Sequence, residues 1–418
     1  MGGFWRRPAV HDPRRPLGPD DLIPEDGPGH VPRIVRFLAH DGTPRIGLVV
    51  ESSGGLPRRL LDLTARHRLG PGLLEMVEAG GFDIAARELE GFEASAESEH
   101  LVTLEPAELP HRLLSPVDID ADQLERGTRL VIGFGLTFRA HRRETRGARP
   151  IVFPKPCAPT GAYVPVVGGD RDAPDEGPVS LLDYELELAC VALRDIDLDR
   201  LDSVDPAAGF GYLAVNDVTA REPILRDRRT GFARAKGRPT YLPAGPWVVP
   251  GEHFTRDAPA LRRMVLTVDE GLGHGHPAVG LVPGVGGERR HSLRQDARLE
   301  DLTLGIEELL PLVSQQRHLT MPGIGERRWP ISVERGGRRI IPAGSLLLTG
   351  TPGGTAIRSP GFADRLALIA RGLRYGRWPS EDYRRHLHEH RHASGFLAPG
   401  DRVSGWITGL GRQQWDVR

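Results

Sequence analysis

The 418-residue chain is 39% hydrophobic and 27% charged, and its 55 Lys and Arg against 56 Asp and Glu leave a formal charge of -1. That balance supplies no strong field for phosphate backbones or anionic lipid, so neither nucleic acid nor membrane is expected as a partner. With no h-region at the start, no uncharged apolar run of about 18 residues, and Cys157 and Cys190 as the sole cysteines, the sequence reads as a cytoplasmic globular protein without a disulfide framework.

Residues 1–31 are rich in Pro, Gly, Arg and Asp without apolar periodicity and read as a flexible tail. From Arg33 the run RIVRFLAHDGTPRIGLVVESSGG alternates around an Asp-Gly turn, as a β-hairpin does. LLDLTARHRLGPGLLEMVEAGGFDIAARELEGF then has helical spacing, which predicts a small N-terminal α/β domain over 32–115. Beyond it, 116–418 holds short β-rich runs: RLVIGFGLTF, PIVFPKP, LLDYELELACVAL, FGYLAVNDV, GPWVV, RMVLTVDE, GSLLLTGTP and DRVSGWITGL. Gly and Pro separate them and helical crossovers are scarce, so the fold expected is mainly β with some α, a mixed and largely antiparallel sandwich or roll. An insertion at about 357–395 carries helical spacing and His386, His388, His390 and His392; on a helix these scatter over several faces, so a solvated or interface helix is expected over a metal tract.

Lysine occurs only at Lys155 and Lys236, and asparagine only at Asn216. A codon bias that removes both wherever they are replaceable makes the survivors informative, because a compact ammonium does what a planar guanidinium cannot.

Chemistry concentrates in Asp183-Tyr-Glu185-Leu-Glu187-Leu. In a strand, residues i and i+2 share a face, so Glu185 and Glu187 project together while Leu186 and Leu188 enter the core. Adjacent carboxylates repel unless a cation lies between them. Taken alone, the string also fits an amphipathic strand with a solvated acidic face. The next segment, GFGYLAVNDVTARE, ends an apolar strand at Asn216-Asp217 and offers a third carboxylate. Three carboxylates suit Mg2+ or Mn2+, and also Ca2+, better than Zn2+.

The ExE strand, NDVTAR, KG followed by PAGPWVV, LLTGTPGG and FLAPGDRVSGWITGLG resemble, in order and spacing, the fumarylacetoacetate hydrolase (FAH) family. GFGLTFRAHRRET is similar to its LNYxxHxxE segment, and PIVFPKP to its PxxFxKP strand. The resemblance implies an FAH-like mixed β-sandwich roll, a homodimer, and a metal-dependent hydrolase that cleaves a carbon-carbon bond in a small 2-oxo or 1,3-diketo acid. It implies metal ligation by Glu185, Glu187 and Asp217, and a water-activating pair at His141 and Glu144. It also implies pocket lysines at Lys155 and Lys236, and substrate-carboxylate contacts from Thr351 with Gly350 and Gly353. Arg221 is expected to pair with acidic neighbours beneath the site. The family's Gln after NDVTAR is missing and the loop there is longer, so the substrate is not carried over. Decarboxylation, hydration and keto-enol isomerisation use the same enolate chemistry and stay open, as does a non-catalytic ligand-binding dimer.

Overall fold

The computed structural model describes residues 31–92, 100–145, 149–168, 181–226, 231–256, 262–271, 290–316, 319–322, 328–357, 379–389 and 394–418. The expected tail thus lies outside the described residues, apart from Val31. So do His390 and His392 and most of the insertion before Pro379.

Strands Ile34–Leu38 and Pro44–Ser53 form the hairpin read from the sequence, turning at Gly42, whose φ of +80° favours glycine. The segment that follows departs from expectation. Leu60, Leu61 and Asp62 end a third strand, Leu56–Asp62, instead of opening a helix. Leu60 and Leu61 pair with Val49 and Leu48, so sheet pairing overrides the local helical spacing. Helices Leu63–His67, Leu73–Glu78 and Gly81–Glu90 come after it.

The larger part is mainly β. A mixed sheet runs in the order Ile151–Pro154, Val131–Gly135, Leu346–Leu348, Leu186–Ala192, Phe210–Asn216, Pro243–Ala244, Thr160–Gly161. Its central strands Leu186–Ala192 and Phe210–Asn216 are buried at every position, as continuous apolar runs in a covered sheet should be. A four-stranded antiparallel sheet, Arg290–Arg298, Arg263–Glu270, Arg402–Ile407 and Gly411–Asp416, stacks on that centre. Gly405 lets it come close: a Cβ there would lie 3.1 Å from Leu186 Cδ1. The two outer strands of this sheet are absent from the sequence reading, because edge strands carry polar residues in place of a Val/Ile/Leu run. RHSLRQDAR is one, and GRQQWD, alternating buried and half-buried, is the other.

Candidate metal centre

Glu185 immediately precedes the strand Leu186–Ala192 and Glu187 is its second residue, so period-two alternation sends both carboxylates one way while Leu186 is fully buried. The antiparallel register sets Leu186 opposite Asn216, which delivers the next residue, Asp217, beside Glu185. Asp217 N–H donates to Glu185 O at 2.8 Å, and Asn216 Oδ1 accepts from Glu185 N–H at 3.0 Å. The only asparagine therefore satisfies a buried amide at the point where regular pairing ends. One oxygen from each of Glu185, Glu187 and Asp217 lies within 4.8 Å of the others, and all three residues are buried.

Three cations surround them. Lys155 Nζ is 2.7 Å from Asp217 Oδ1 and donates to the carbonyl of Lys236 at 2.9 Å. Lys236 Nζ donates to Glu185 Oε2 at 2.8 Å, to Thr219 Oγ1 at 2.8 Å, and to Asp217 Oδ2. Arg221 pairs with Asp183 at 2.8 Å and with Glu185. Asp183, which the sequence reading did not single out, also accepts from the amides of Ala356 and Ile357 and so ties the TGTPGG segment to the acidic strand.

The electrostatics are uneven. Burial alone would raise the Glu185 carboxyl, but Arg221, Lys236 and His141 together hold it well below the usual carboxylate range. Glu187 has no salt bridge among the described residues; burial, then Asp217 and Glu185, push it well above that range. Lys236 is raised, because Asp217 and Glu185 outweigh the burial that would lower it. Four buried carboxyls, Asp183, Glu185, Glu187 and Asp217, thus face Lys155, Arg221 and Lys236, one more acid than fixed cation. Oxygen-only donors with one more acid than fixed cation fit a hard divalent cation, which would hold all of them ionised.

The other predicted residues gather around the TGTPGG loop. Helix Arg139–Thr145 carries His141, which is buried, and Glu144, with His141 Nδ1 3.9 Å from Glu144 Oε2. Both Glu144 oxygens accept from Gly354 N–H at 3.1 Å. Gly350 N–H donates to Glu187 Oε2 at 2.8 Å. Thr351 Oγ1 accepts from Gln295 Nε2 at 2.8 Å. Gly353 and Gly354 allow close approach, but to protein groups: a Cβ on Gly353 would lie 3.0 Å from Ala140 Cβ, and one on Gly354 2.0 Å from Arg294 O. Gln295 gave no sequence signal, since it sits on the polar edge strand that the apolar pattern does not reveal.

In the insertion, helix Pro379–Glu389 packs on helix Arg221–Arg226, with Leu387 buried and His388 Nε2 3.4 Å from Glu222 Oε2.

A two-layer β fold whose inner strands bring three buried carboxylates together defines a protein of the class that could hold a metal ion on acidic side chains. The model of the fumarylacetoacetate (FAA) hydrolase C-terminal domain matches residues 131–418, and the chain belongs to this family. Protein Rv2993c of Mycobacterium tuberculosis is 35% identical over 124 residues, covering 28% of this chain and 43% of that protein. Oxaloacetate tautomerase YisK of Bacillus subtilis is 34% identical over 138 residues, covering 32% and 44%. The matched stretch therefore spans less than half of either relative. The solved fumarylacetoacetate hydrolase of psychrophilic Exiguobacterium antarcticum superposes at a TM-score of 0.54 with 22% identity, covering 93% of this chain and 99% of that one, which shows the shared fold. Among the described residues no helix is long and apolar enough to cross a membrane.

Proposed function

We propose that the protein is a divalent-metal-dependent hydrolase that cleaves a carbon-carbon bond in a small 2-oxo or 1,3-diketo acid, an acylpyruvate-like substrate, in the cytoplasm and as a homodimer. The observation that carries this reading is the convergence of Glu185, Glu187 and Asp217, which together with Asp183 make one more buried carboxyl than Lys155, Lys236 and Arg221 match. Glu185, Glu187 and Asp217 would hold Mg2+ or Mn2+, or Ca2+, which would supply Lewis acidity toward the oxo acid. With all four carboxyls ionised around a divalent ion, the set of Lys155, Lys236, Arg221 and cation would be one charge positive, which would favour an anionic substrate.

The chain's own residues do the rest. His141 takes a proton from water, and Glu144, seated on Gly354 N–H, limits where the ring sits. Lys155 and Lys236 hold positive charge at Asp217, where oxyanion charge develops. Thr351 offers its hydroxyl to the substrate carboxylate from a loop that Gly350 and Gly353 allow to pack tightly. Burial of His141 and of both lysines keeps bulk water from screening these charges.

A second reading, tautomerisation or isomerisation of an oxo acid, draws support from the similarity to an oxaloacetate tautomerase. Decarboxylation and hydration start from the same enolate chemistry. Assaying acylpyruvates and oxaloacetate with and without Mg2+ separates them: carboxylate plus pyruvate as products supports hydrolysis, enol-keto exchange alone supports tautomerisation, and CO2 release supports decarboxylation. Full activity of Glu185→Gln or Asp217→Asn in metal-replete buffer removes the metal scheme altogether, and sedimentation velocity tests the dimer.

A further inference from the structure

Gln295 is 1% exposed and makes three hydrogen bonds that join the two ends of the site. Its Oε1 accepts from Leu186 N–H at 3.0 Å, and its Nε2 donates to Thr351 Oγ1 at 2.8 Å and to Pro352 O at 3.2 Å. The orientation of the carboxamide is dictated by its partners, since a backbone N–H only donates and a backbone carbonyl only accepts. Leu186 stands between Glu185 and Glu187, so one side chain spans from the acidic strand to the TGTPGG loop.

The backbone is bent to bring it there. Along the pair Arg263–Glu270 and Arg290–Arg298, Leu266 pairs with Gln295 but Thr267 pairs with Leu293, which leaves Arg294 as a bulged extra residue. Bulges re-aim side chains near functional sites. Here the Arg294 carbonyl is pressed against Gly354, which has a φ of +97° and no Cβ to obstruct it, and Gln295 is turned into the core. Because Thr351 Oγ1 accepts from Gln295, its own proton is the part left to offer. Its protein acceptor, Leu186 O, lies at 3.4 Å, a long contact that an anionic oxygen readily displaces.

We propose that Gln295 is a positioning residue: by fixing the Thr351 hydroxyl as a donor, and its distance from the Glu185 and Glu187 strand, it sets the span between bound cation and substrate carboxylate. This rests on the function proposed above. The probes are oxalate, a dianion that chelates through one oxygen of each carboxylate and keeps its two other oxygens as hydrogen-bond acceptors, and acetylacetone, a diketone chelator that has no such oxygens.

Gln295→Glu keeps an oxygen for Leu186 N–H and removes the amide donor, while Gln295→Met keeps the volume and removes both. With Mn2+ present, both variants are expected to bind oxalate about tenfold more weakly, the effect of one charge-assisted hydrogen bond. Acetylacetone and Mn2+ affinities should stay within about twofold of wild type, and Gln295→Met excludes simple charge repulsion as the cause. Equal losses for oxalate and acetylacetone would mean a structural role only, and unchanged oxalate affinity would reject the assignment outright. If wild-type protein binds oxalate equally with and without Mn2+, the metal reading itself fails, an outcome separate from either of these.

Discussion

Both carboxylate oxygens of Glu144 accept from the single N–H of Gly354 at 3.1 Å, which latches helix Arg139–Thr145, and with it His141, onto the TGTPGG loop. Gly353 leaves room for the latch, because a Cβ there would stand 3.0 Å from Ala140 Cβ and 3.1 Å from Glu144 Oε1. Gly353→Ala must therefore displace the helix by a few tenths of an ångström without touching the acidic strand. Turnover of an acylpyruvate should fall by roughly tenfold or more, since small misplacements of a base are costly. Mn2+ affinity, measured by titration, should hold. An unchanged kcat would show that the helix does not need this seat.

Glu187 gives a second test, because its two states pull in opposite directions. Without metal its buried carboxyl sits well above the usual range and has no salt bridge among the described residues. Glu187→Gln preserves an oxygen for Gly350 N–H at nearly the same volume and removes the like-charge conflict with Asp217 and Glu185. The metal-free variant should melt at or above the wild-type temperature. Saturating Mn2+ at a hundred times its dissociation constant stabilises the wild type by about 2.7 kcal/mol, and that gain should vanish in the variant. Differential scanning calorimetry with and without Mn2+ reads both effects, and a retained Mn2+ shift would remove Glu187 from the ligand set.

Much of this centre was legible because it obeys local rules. Alternation alone places Glu185 and Glu187 on one face, and Asp217 follows the end of an apolar strand as FGYLAVND reads. That the two surviving lysines both reach Asp217 follows from nothing local, yet their rarity marked them. Gln295 was invisible for a physical reason, and the role of Asp183 was only half visible, through the expectation that Arg221 pairs with acidic neighbours. Gln295 acts on Leu186, more than a hundred residues away, from a strand without an apolar pattern, and the tie of Asp183 to Ala356 spans a still longer stretch of chain that local alternation does not reveal. The strand Leu56–Asp62 was misread for a related reason, since its Leu60–Leu61 pair fits a helix until Leu48 and Val49 are placed opposite.

Lys236 carries a third prediction. Its Nζ is shared among Glu185, Asp217 and Thr219 in a buried position, with the Phe153 ring 5.1 Å away. Lys236→Met removes the cation while leaving both carboxylates in place, and breaking a buried pair in this way costs about 3–5 kcal/mol. Thermal melts of the metal-free variant should show a large loss, and Mn2+ should restore part of it by replacing the missing positive charge. Lys236→Arg should rescue poorly, because a planar guanidinium does not fit where a compact ammonium serves three acceptors. A Lys236→Met melt identical to wild type would contradict the arrangement.

The insertion is expected to act on the site through packing and not through its histidines. Helix Pro379–Glu389 rests on helix Arg221–Arg226, whose first residue is the guanidinium that holds Asp183 and Glu185. Leu387 is 4% exposed, whereas the His388–Glu222 pair, at 3.4 Å, has side chains 31% and 22% exposed. Screened pairs of that kind contribute about 0–1 kcal/mol, so His388→Ala should change the melting temperature and the kinetics little. Leu387→Ala opens a cavity under the helix and should cost roughly 2–5 kcal/mol, unless the helix detaches as a unit and the loss stays local. Hydrogen exchange distinguishes the cases, since detachment deprotects 379–389 and 221–226 together while the central strands remain protected. In both cases a loosened Arg221 leaves Glu185 with less positive charge, so Mn2+ affinity should change in Leu387→Ala and not in His388→Ala. The opposite ranking would place the histidines, and not the apolar contact, in control of the site.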